Sequence, residues 1–517
     1  MSDGLGWEDA YGTTIERIKA QDGDKPRLGI AALMWISHAE RPLSADELCH
    51  ALAVELRSKD FNARNIPSIS TLVSCCQGLI TVEKETSTVR LVHPTVQDYL
   101  SARPDIFSRP HAAMAEICLT YLNSKEVKAL PAHSPPVTHD KPFLGYCSIY
   151  WGVHAKRGPS DYAKWLALEL FREYDSHMSS KLLLENVGHH VRWNFGSDFG
   201  SDPSIDCNTS FNGLHCASFF GIVDLVAALI EMGCYDTNER DTRGSTPLAW
   251  AVRNGHEEVV KMLLRRREVC PNINDYSGMT PLSHAAWKGH GEMVKMLLEQ
   301  REVCPDGPDG SGQTPLSYAA DGGHEGVVKI LLELGEVSPD KPGRYGKTPL
   351  AYAARHGDEK IVKLLLERGE VNPDEPDDGG QTPLSLAAAW GREGIVKMLL
   401  GREEVSPDKP DVGGRTPLSH AASTSSRGRE EVVKMLLSRE EVSPDNPDNN
   451  GRTPFWYAAR NGSEGVAKIL LRHGGISSNK PDNYNQTPLM AARNWGYLGM
   501  VALLQSHEAE TPAQLEA

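Results

Sequence analysis

Beyond about residue 206, hydrophobic and polar positions follow one order that recurs along the chain. A short segment of small and apolar residues, such as 282–286, precedes a second segment with apolar residues at helical spacing, such as 294–298. A stretch rich in Pro, Asp and Gly follows, such as 407–414. This order predicts two short helices and then a projecting turn or hairpin.

The triplet Thr-Pro-Leu, or once Thr-Pro-Phe, starts each unit, and its copies begin at Thr246, Thr280, Thr314, Thr348, Thr382, Thr416, Thr453 and Thr487. Successive starts lie 34 residues apart, except that Thr416 and Thr453 lie 37 apart because residues 423–427 contain three extra residues in a predicted loop. A degenerate copy at Asn212 brings the number of units to nine. Thr is a favourable N-cap and Pro suits the first helical position. Helices this short are marginal alone, so the units must stack into a solenoid.

The segments GHEEVVKMLL, GHGEMVKMLL and GHEGVVKILL, which follow Thr-Pro-Leu and small residues, resemble ankyrin repeats. The resemblance covers residues 206–508 and implies a concave face, lined by hairpin tips and inner-helix ends, that binds other proteins. Tetratricopeptide repeats, of similar period, lack the Thr-Pro-Leu cap and the Asp/Gly hairpin. Phe219 and Phe220 in the first unit, and Trp495 and Tyr497 in the last, are atypical residues expected of caps.

The amino-terminal half has a different pattern, with predicted helices at 28–37, 45–53 and 68–76 and two β-type runs at 79–82 and 89–92. Ser44 and Glu47 form a predicted capping box. We therefore predict a mainly α protein in which a winged helix and a helical spacer precede the solenoid. The predicted bounds are 1–26 for an arm, 27–103 for the winged helix, 104–205 for the spacer, 206–508 for the repeats and 509–517 for a flexible tail.

The phrases LSADEL at 43–48 and LVHPTVQDYL at 91–100 resemble the winged-helix segment of fungal NACHT-ankyrin proteins, which are signal-transducing NTPases similar in plan to NOD-like receptors. This segment type is also named after a glycosylphosphatidylinositol inositol deacylase. The chain resembles only the half downstream of the NTPase module. Its one Gly-Lys-Thr, at 346–348, has Lys341 where a P-loop needs Gly.

Other candidate chemistry has simpler explanations. No Gly-x-Ser-x-Gly elbow occurs, and Cys270 and Cys304 occupy a repeat position that we assign to small-residue packing. The vicinal pair Cys75-Cys76 is assigned to the core. His189-His190 and His215-Cys216 lack zinc-site spacing. The hairpin carboxylates lack an EF-hand pattern and are interpreted as turn formers: Asp374, Asp377, Asp378, Asp445 and Asp448. We therefore predict a non-enzymatic protein with no catalytic, cofactor or metal site.

The balance of charged residues limits the classes of partner that the chain is expected to bind. The chain has 54 Lys and Arg against 69 Asp and Glu, a formal charge of −15, which disfavours broad binding to nucleic acid. DNA binding through the winged helix is the disfavoured alternative, because residues 68–77 contain no Lys or Arg. The sequence shows neither a signal peptide nor a membrane-spanning run, and ten cysteines without framework spacing are expected to be reduced. We expect a cytoplasmic location, with the nucleus as the alternative.

The predicted function is a protein-interaction scaffold or recognition module in NOD-like-receptor-type signalling. An autoregulatory sensor arm acting on a separate NACHT-type NTPase is the alternative. Exposed Trp, Tyr and Arg often dominate protein interfaces, so the predicted binding face comprises Arg243, Arg253, Tyr276, Trp287, Lys288, Arg344, Tyr345, Arg355, His356, Trp390, Arg415, Arg452, Arg460, Tyr484 and Trp495. Its arginines favour a partner with an acidic surface. Four aromatic residues at another repeat position are assigned to the core: Trp250, Tyr318, Tyr352 and Tyr457.

Overall fold

The computed structural model describes residues 7–130, 141–195, 210–423 and 428–514. It is mostly helical, with 56% helix and 2% strand, which confirms the mainly α fold class. The chain forms two compact bodies, residues 1–275 and 276–517. The start of the predicted arm, most of the predicted loop at 423–427 and the end of the predicted tail lie outside the described residues.

Three helices and a small sheet form the first globular part of the N-terminal body. The helices are Lys25–His38, Ala45–Ala53 and Ile69–Cys75, flanked by Trp7–Lys19 and Pro94–Ala102, and the strands are Leu43–Ser44, Ile80–Val82 and Thr88–Leu91. Strand Thr88–Leu91 lies in the middle and pairs antiparallel with both others. The predicted hairpin is confirmed. Strand Leu43–Ser44 was not predicted, because two residues show no alternation.

The predicted capping box is present at the start of helix Ala45–Ala53. The Glu47 backbone N–H donates to Ser44 Oγ over 3.1 Å, and the Ser44 N–H donates to the Glu47 carboxylate over 2.8 Å. Arg41 adds an ion pair to the same carboxylate at 2.6 Å. The first free N–H groups of this helix are thereby satisfied.

The spacer is helical, as predicted, and its elements are Pro110–Leu122, Lys125–Lys128, Phe143–Arg157, Asp161–Phe171 and Met178–Phe195. It shares a core with the winged helix. The buried ring of Trp35 packs edge-on against Phe143 at 5.4 Å and Tyr146 at 5.8 Å. His154, also buried, lies 2.8 Å from the Tyr146 hydroxyl. The side chains of His189 and His190 lie outside the described residues.

Nine pairs of helices follow within the described ranges 210–423 and 428–514, and we number them repeats 1 to 9. Their inner and outer helices are Gly213–Phe220 and Val223–Met232, Pro247–Arg253 and Glu257–Leu264, Pro281–Lys288 and Gly291–Leu298, Pro315–Asp321 and Glu325–Glu333, Pro349–His356 and Glu359–Leu366, Pro383–Ala389 and Glu393–Leu400, Pro417–Ala422 and Gly428–Leu437, Pro454–Arg460 and Glu464–His473, and Pro488–Asn494 and Leu498–Gln514. Repeats 1 and 2 belong to the N-terminal body and repeats 3 to 9 to the C-terminal body.

The predicted Thr N-cap is confirmed in repeats 2 to 9. Each Thr side chain accepts a hydrogen bond from the backbone N–H three residues later, with Pro in the first turn. A buried hairpin carboxylate adds a second tie, because it accepts from a side chain nine residues along. The pairs are Asp241 with Trp250 at 2.8 Å, Asp309 with Tyr318 at 2.5 Å, Asp411 with His420 at 2.9 Å and Asp448 with Tyr457 at 2.6 Å.

Two predictions from the sequence concern these buried helix side chains and hairpin carboxylates. Trp250, Tyr318, Tyr352 and Tyr457 are buried, which confirms their assignment to the core. The carboxylates of Asp377 and Asp448 accept backbone N–H groups two and four residues ahead, as expected of turn formers.

A second set of loop carboxylates links neighbouring repeats of the C-terminal body. Lysines of the next repeat pair with these residues: Lys341 with Asp306 at 3.2 Å, Lys409 with Asp374 at 3.1 Å and Lys480 with Asp445 at 3.5 Å. The sequence interpretation of Asp374 and Asp445 as turn formers missed this role. These carboxylates therefore form a ladder of ion pairs along the loops.

The start of the solenoid is buried against the spacer. The ring of Phe220 in repeat 1 packs on Trp151 at 5.2 Å, and a Cβ on Gly152 would lie 2.2 Å from that ring. Gly213 likewise lies against Phe171. The expectation that Phe219 and Phe220 mark a cap therefore needs correction, because Phe220 belongs to a packed joint within the N-terminal body.

Candidate protein-binding face

Two sets of positions on each repeat remain outside the buried core. One set lies at the hairpin tip, within four residues before the capping Thr, and the other at the end of the inner helix, seven or eight residues after it. In repeat 5, for example, residues 348–354 are buried, whereas Arg355 is half-buried and His356 exposed. We call the surface formed by the described residues of these two sets in repeats 3 to 9 of the C-terminal body the inner-helix face.

Aromatic rings on this face of the C-terminal body are open to solvent. The exposed fractions are 70% for Tyr276, 56% for Tyr345, 50% for Trp390, 68% for Tyr484 and 60% for Trp495. Trp287 is half-buried. Large exposed aromatic residues on one surface are typical of a binding site, and packing against neighbouring repeats leaves at least half of the surface of each of these five residues accessible.

Most of these rings carry a cation against one face. The distances from the charged group to the ring centroid are 4.2 Å for Lys288 on Trp287, 4.8 Å for Arg344 on Tyr345, 5.5 Å for Arg355 on Trp390, 6.0 Å for Arg452 on Tyr484 and 5.3 Å for Arg460 on Trp495. A cation within about 6 Å of a ring is held by about 0.5–1 kcal/mol at an exposed site. Stacking therefore holds flexible side chains in place before any partner arrives.

Trp456 organises the face in repeat 8, and the sequence analysis missed it. Its buried ring lies under Arg452 at 4.6 Å and Arg460 at 5.8 Å, and its Nε1 donates to the Gln486 carbonyl over 3.1 Å. A hairpin-tip position and an inner-helix position thus meet on one ring. The available signal was a Trp where four other repeats have Ser: Ser283, Ser317, Ser385 and Ser419.

The cations differ in how far they are neutralised. Arg415 pairs with Asp411 at 3.1 Å, His356 with Asp321 at 2.9 Å and Arg452 with Asp482 at 3.4 Å. By contrast, the guanidinium groups of Arg355 and Arg460 contact only aromatic rings among the residues the structure describes. Their N–H donors therefore remain available for a carboxylate.

The two predicted site residues in the N-terminal body are placed differently. Arg243 is half-buried and donates to the Leu184 carbonyl over 2.9 Å. Arg253 is half-buried over the ring of Trp250 at 5.3 Å. Burial lowers the pKa of both guanidinium groups. Arg243 was expected at an exposed hairpin tip, and the structure instead places it in a contact with helix Met178–Phe195.

Residues with possible chemistry are placed in structural roles. Gly346 lies in a hairpin with φ +70°, and Thr348 caps helix Pro349–His356. Burial raises the pKa of the Cys76 thiol to about 12, which keeps it protonated. Cys304 is exposed, so its assignment to small-residue packing is wrong. Within the described ranges, no group of three His, Cys, Asp or Glu side chains is arranged to hold a metal ion.

The family model described as ankyrin repeats (3 copies) matches residues 214–306, 302–377, 369–446 and 425–514, which together exceed half of the chain. The chain belongs to the ankyrin-repeat family. Its repeats form a protein–protein interaction module, and the inner-helix face of this ankyrin array is the surface on which the cation-and-aromatic pairs lie.

A second family model, the winged helix domain of GPI inositol-deacylase, matches residues 17–108 of the ankyrin-repeat protein and confirms the predicted winged helix. No curated protein matches the chain. In the part of the chain that the structure describes, no helix has both the length and the apolar composition needed to cross a bilayer.

Proposed function

We propose that this ankyrin-repeat protein is a non-enzymatic scaffold or recognition module whose inner-helix face binds a protein partner with an acidic surface. The observation that carries the proposal is the pairing of solvent-accessible Trp390 and Trp495 with arginines that have no carboxylate partner among the described residues. An ion pair with such a pre-positioned arginine is favoured because the guanidinium loses little freedom on binding.

The proposed face comprises the predicted residues of the C-terminal body. Arg243 and Arg253 stay a separate prediction for the N-terminal body, where the first is tied to the spacer and both are half-buried. The domain bounds given by the sequence also stay a prediction, with the winged helix at 27–103 and the repeats at 206–508.

We also propose a signalling pathway in which this scaffold acts. The sequence resemblance to the downstream half of fungal NACHT-ankyrin proteins supports a role in NOD-like-receptor-type signalling in the cytoplasm. A separate NACHT-type NTPase is then a candidate partner. The ankyrin and winged-helix matches are consistent with this plan and cover only its downstream modules.

The face can be tested by pull-down with the full chain. We expect that changing Trp287, Trp390 and Arg355 together to Ala removes a partner that the unmodified chain retains. A matched control changes three outer-helix lysines to Ala, namely Lys261, Lys295 and Lys434, each of which pairs with a Glu of its own helix. Unchanged binding by the first variant would contradict the assigned face.

The sensor-arm alternative is favoured by one observation. In the N-terminal body the winged helix packs on the spacer through Trp35 and Phe143, and the spacer packs on repeat 1 through Trp151 and Phe220. A continuous packed core can couple binding in the first repeats to the winged helix. This role predicts that adding the chain changes the ATPase rate of a purified NACHT-type NTPase, and an unchanged rate at saturating concentration would contradict it.

A further inference from the structure

The inner-helix face carries the same arrangement twice. In repeat 5, Arg355 lies seven residues after the capping Thr348 and stacks at 5.5 Å on Trp390, which lies eight residues after Thr382. In repeat 8, Arg460 lies seven residues after Thr453 and stacks at 5.3 Å on Trp495, which lies eight residues after Thr487. We call these pair A, Arg355 with Trp390, and pair B, Arg460 with Trp495.

Each pair has further cations at the hairpin of its own repeat. Beside pair A, Arg344 and Lys347 lie 4.8 and 5.9 Å from the ring of Tyr345. Beside pair B, Arg452 lies 6.0 Å from the ring of Tyr484. Both places therefore offer a free guanidinium, a second cation and accessible aromatic surface, the combination that recognises a carboxylate on a chain with an apolar stem.

The described inner-helix positions between the two pairs carry no arginine. The residue equivalent to Arg355 and Arg460 is Ala389 in repeat 6 and Ser423 in repeat 7. Arg415, the hairpin cation of repeat 7, is already paired with Asp411 at 3.1 Å. Among the described residues, an arginine stacked on an exposed tryptophan therefore occurs at pair A and pair B and not at the inner-helix positions between them.

The spacing of the two places follows from the stacking. Inner helices of repeats 5, 6, 7 and 8 contact one another in series, and packed helices lie about 8–10 Å apart. Three such steps separate the pairs by about 24–30 Å. An extended peptide rises about 3.3 Å per residue, so about eight residues span that distance.

Resting on the proposed function, we propose that the occupant of the face is an extended acidic segment of a partner protein that places carboxylates on pair A and pair B, about eight residues apart. Binding at one pair raises the effective concentration of the second carboxylate at the other. The spacing of the acidic residues, and not their number alone, then determines the affinity.

The test measures the dissociation constants of synthetic peptides for the full chain by fluorescence anisotropy. One peptide carries two Asp-Asp pairs with centres eight residues apart in a Gly/Ser chain, and a second has the same composition with the four Asp residues consecutive. We expect the spaced peptide to bind at least about tenfold more tightly. An otherwise identical peptide with Asn in place of Asp is expected not to bind.

Substitutions in each pair test whether both pairs are needed to bind the spaced peptide. Arg355→Gln and Arg460→Gln are each expected to abolish the tenfold advantage of the spaced peptide. Arg472→Gln, which removes the same charge from an exposed outer-helix position in repeat 8, is expected to preserve it. Circular dichroism of each variant checks that the helices are intact.

Equal affinity for the spaced and consecutive peptides, or an advantage that survives both substitutions, would overturn the two-pair arrangement. If the triple Ala variant of Trp287, Trp390 and Arg355 still lost its protein partner in that case, the proposed binding face would stand without it. If instead the triple Ala variant kept its protein partner, the proposed binding face would be contradicted. The peptide titration thus tests the two-pair arrangement, the pull-down tests the binding face, and a negative result in one can be told from a negative result in the other.

Discussion

The two bodies of this protein achieve stability in opposite ways. In the C-terminal body, equivalent residues make the same contact again and again, as in the hydrogen bonds from Tyr318 to Asp309 and from Tyr457 to Asp448. In the winged helix and spacer of the N-terminal body, contacts such as those of Trp35 with Phe143 and Tyr146 occur once. The periodic body gives each repeat a similar share of stability, whereas the winged helix and spacer depend on individual close fits.

In the periodic body, the residues that stabilise each repeat can also be told apart from the candidate binding residues. Repetition frees the hairpin-tip and inner-helix positions to vary, because the cap, the carboxylate and the buried Leu residues already hold each repeat. The variable positions are where the exposed Trp, Tyr and Arg residues lie. A periodic scaffold therefore reveals its candidate binding residues as departures from its own pattern.

The largest effect is expected from removing a hairpin carboxylate. Asp309→Ala takes away the acceptor of the Ser311 and Gln313 N–H groups and of the Tyr318 hydroxyl. Because that hydroxyl is buried, we expect a local loss of about 3 kcal/mol in repeat 4. Hydrogen exchange of repeat 4 measures it.

Repeat 6 supplies the matched control for that substitution. Asp377 accepts the Gly379 and Gln381 N–H groups, and the helix residue equivalent to Tyr318 is Leu386, whose side chain has no hydrogen-bond donor. Asp377→Ala is therefore expected to cost about 1–2 kcal/mol. Equal losses at the two positions would show that the side-chain tie adds nothing.

A close fit in the N-terminal body is expected to be nearly as sensitive. Gly152→Ala places a Cβ 2.2 Å from the ring of Phe220, so the spacer or repeat 1 must shift. We expect a loss of about 1–3 kcal/mol. In the same helix, a Cβ added at Gly145 would meet open space, so Gly145→Ala is expected to stabilise the helix by up to about 1 kcal/mol. Denaturant unfolding curves of both variants measure the change in the free energy of unfolding. A higher free energy of unfolding for Gly152→Ala would contradict the close packing of Gly152 on Phe220.

Acid is expected to weaken the N-terminal body first. Burial, together with the nearby His111 and Arg157, lowers the pKa of His154 to about 3. An unfolded His binds a proton near pH 6.5, so between pH 6.5 and 3 the unfolded state holds more protons and stability falls as the pH falls. From pH 6.5 to 5 this amounts to about 2 kcal/mol.

Peptide-level hydrogen exchange at pH 7 and pH 5, corrected for the intrinsic exchange rate, measures this difference. Helices Pro110–Leu122 and Phe143–Arg157 are expected to lose protection, because they carry His111 and His154, whose Nδ1 atoms lie 2.9 Å apart. Helix Pro349–His356, whose one histidine is exposed, serves as the internal comparison. Parallel loss in all three helices would contradict a histidine origin.

The periodic body was the more predictable from sequence. The 34-residue period predicted the Thr caps, the order of the helices and the buried aromatic position. It could do so because similar residues recur at equivalent positions of successive repeats. The ties of Asp309 and Asp448 were not predicted, since nothing in one sequence identifies which side chain a hairpin carboxylate accepts from. The ring of Trp456 beneath two arginines was missed for a related reason, because four other repeats have a buried Ser at this position.

The joint between spacer and repeat 1 could not be predicted at all. Phe220 and Trp151 are 69 residues apart in the sequence and share no periodic relation. Gly152 and Gly213 allow the close approach through the absence of a side chain, a feature that one sequence cannot distinguish from flexibility. Non-repeated contacts between distant segments have no local signature.

The smallest effect concerns a defect in the periodic body. The loop ladder has lysines opposite Asp306, Asp374 and Asp445, but Glu375 occupies the position opposite Asp340. Burial raises the pKa of the Asp340 carboxyl, and the charge of Glu375 adds to this shift. Glu375→Lys supplies the missing cation, and we expect it to raise the free energy of unfolding by about 0.5–1 kcal/mol, less at high salt. The reverse change, Lys409→Glu, is expected to lower it by a similar amount. If both variants unfold at the same denaturant concentration as the unmodified chain, the ladder is a by-product of the repeat and not a source of its stability.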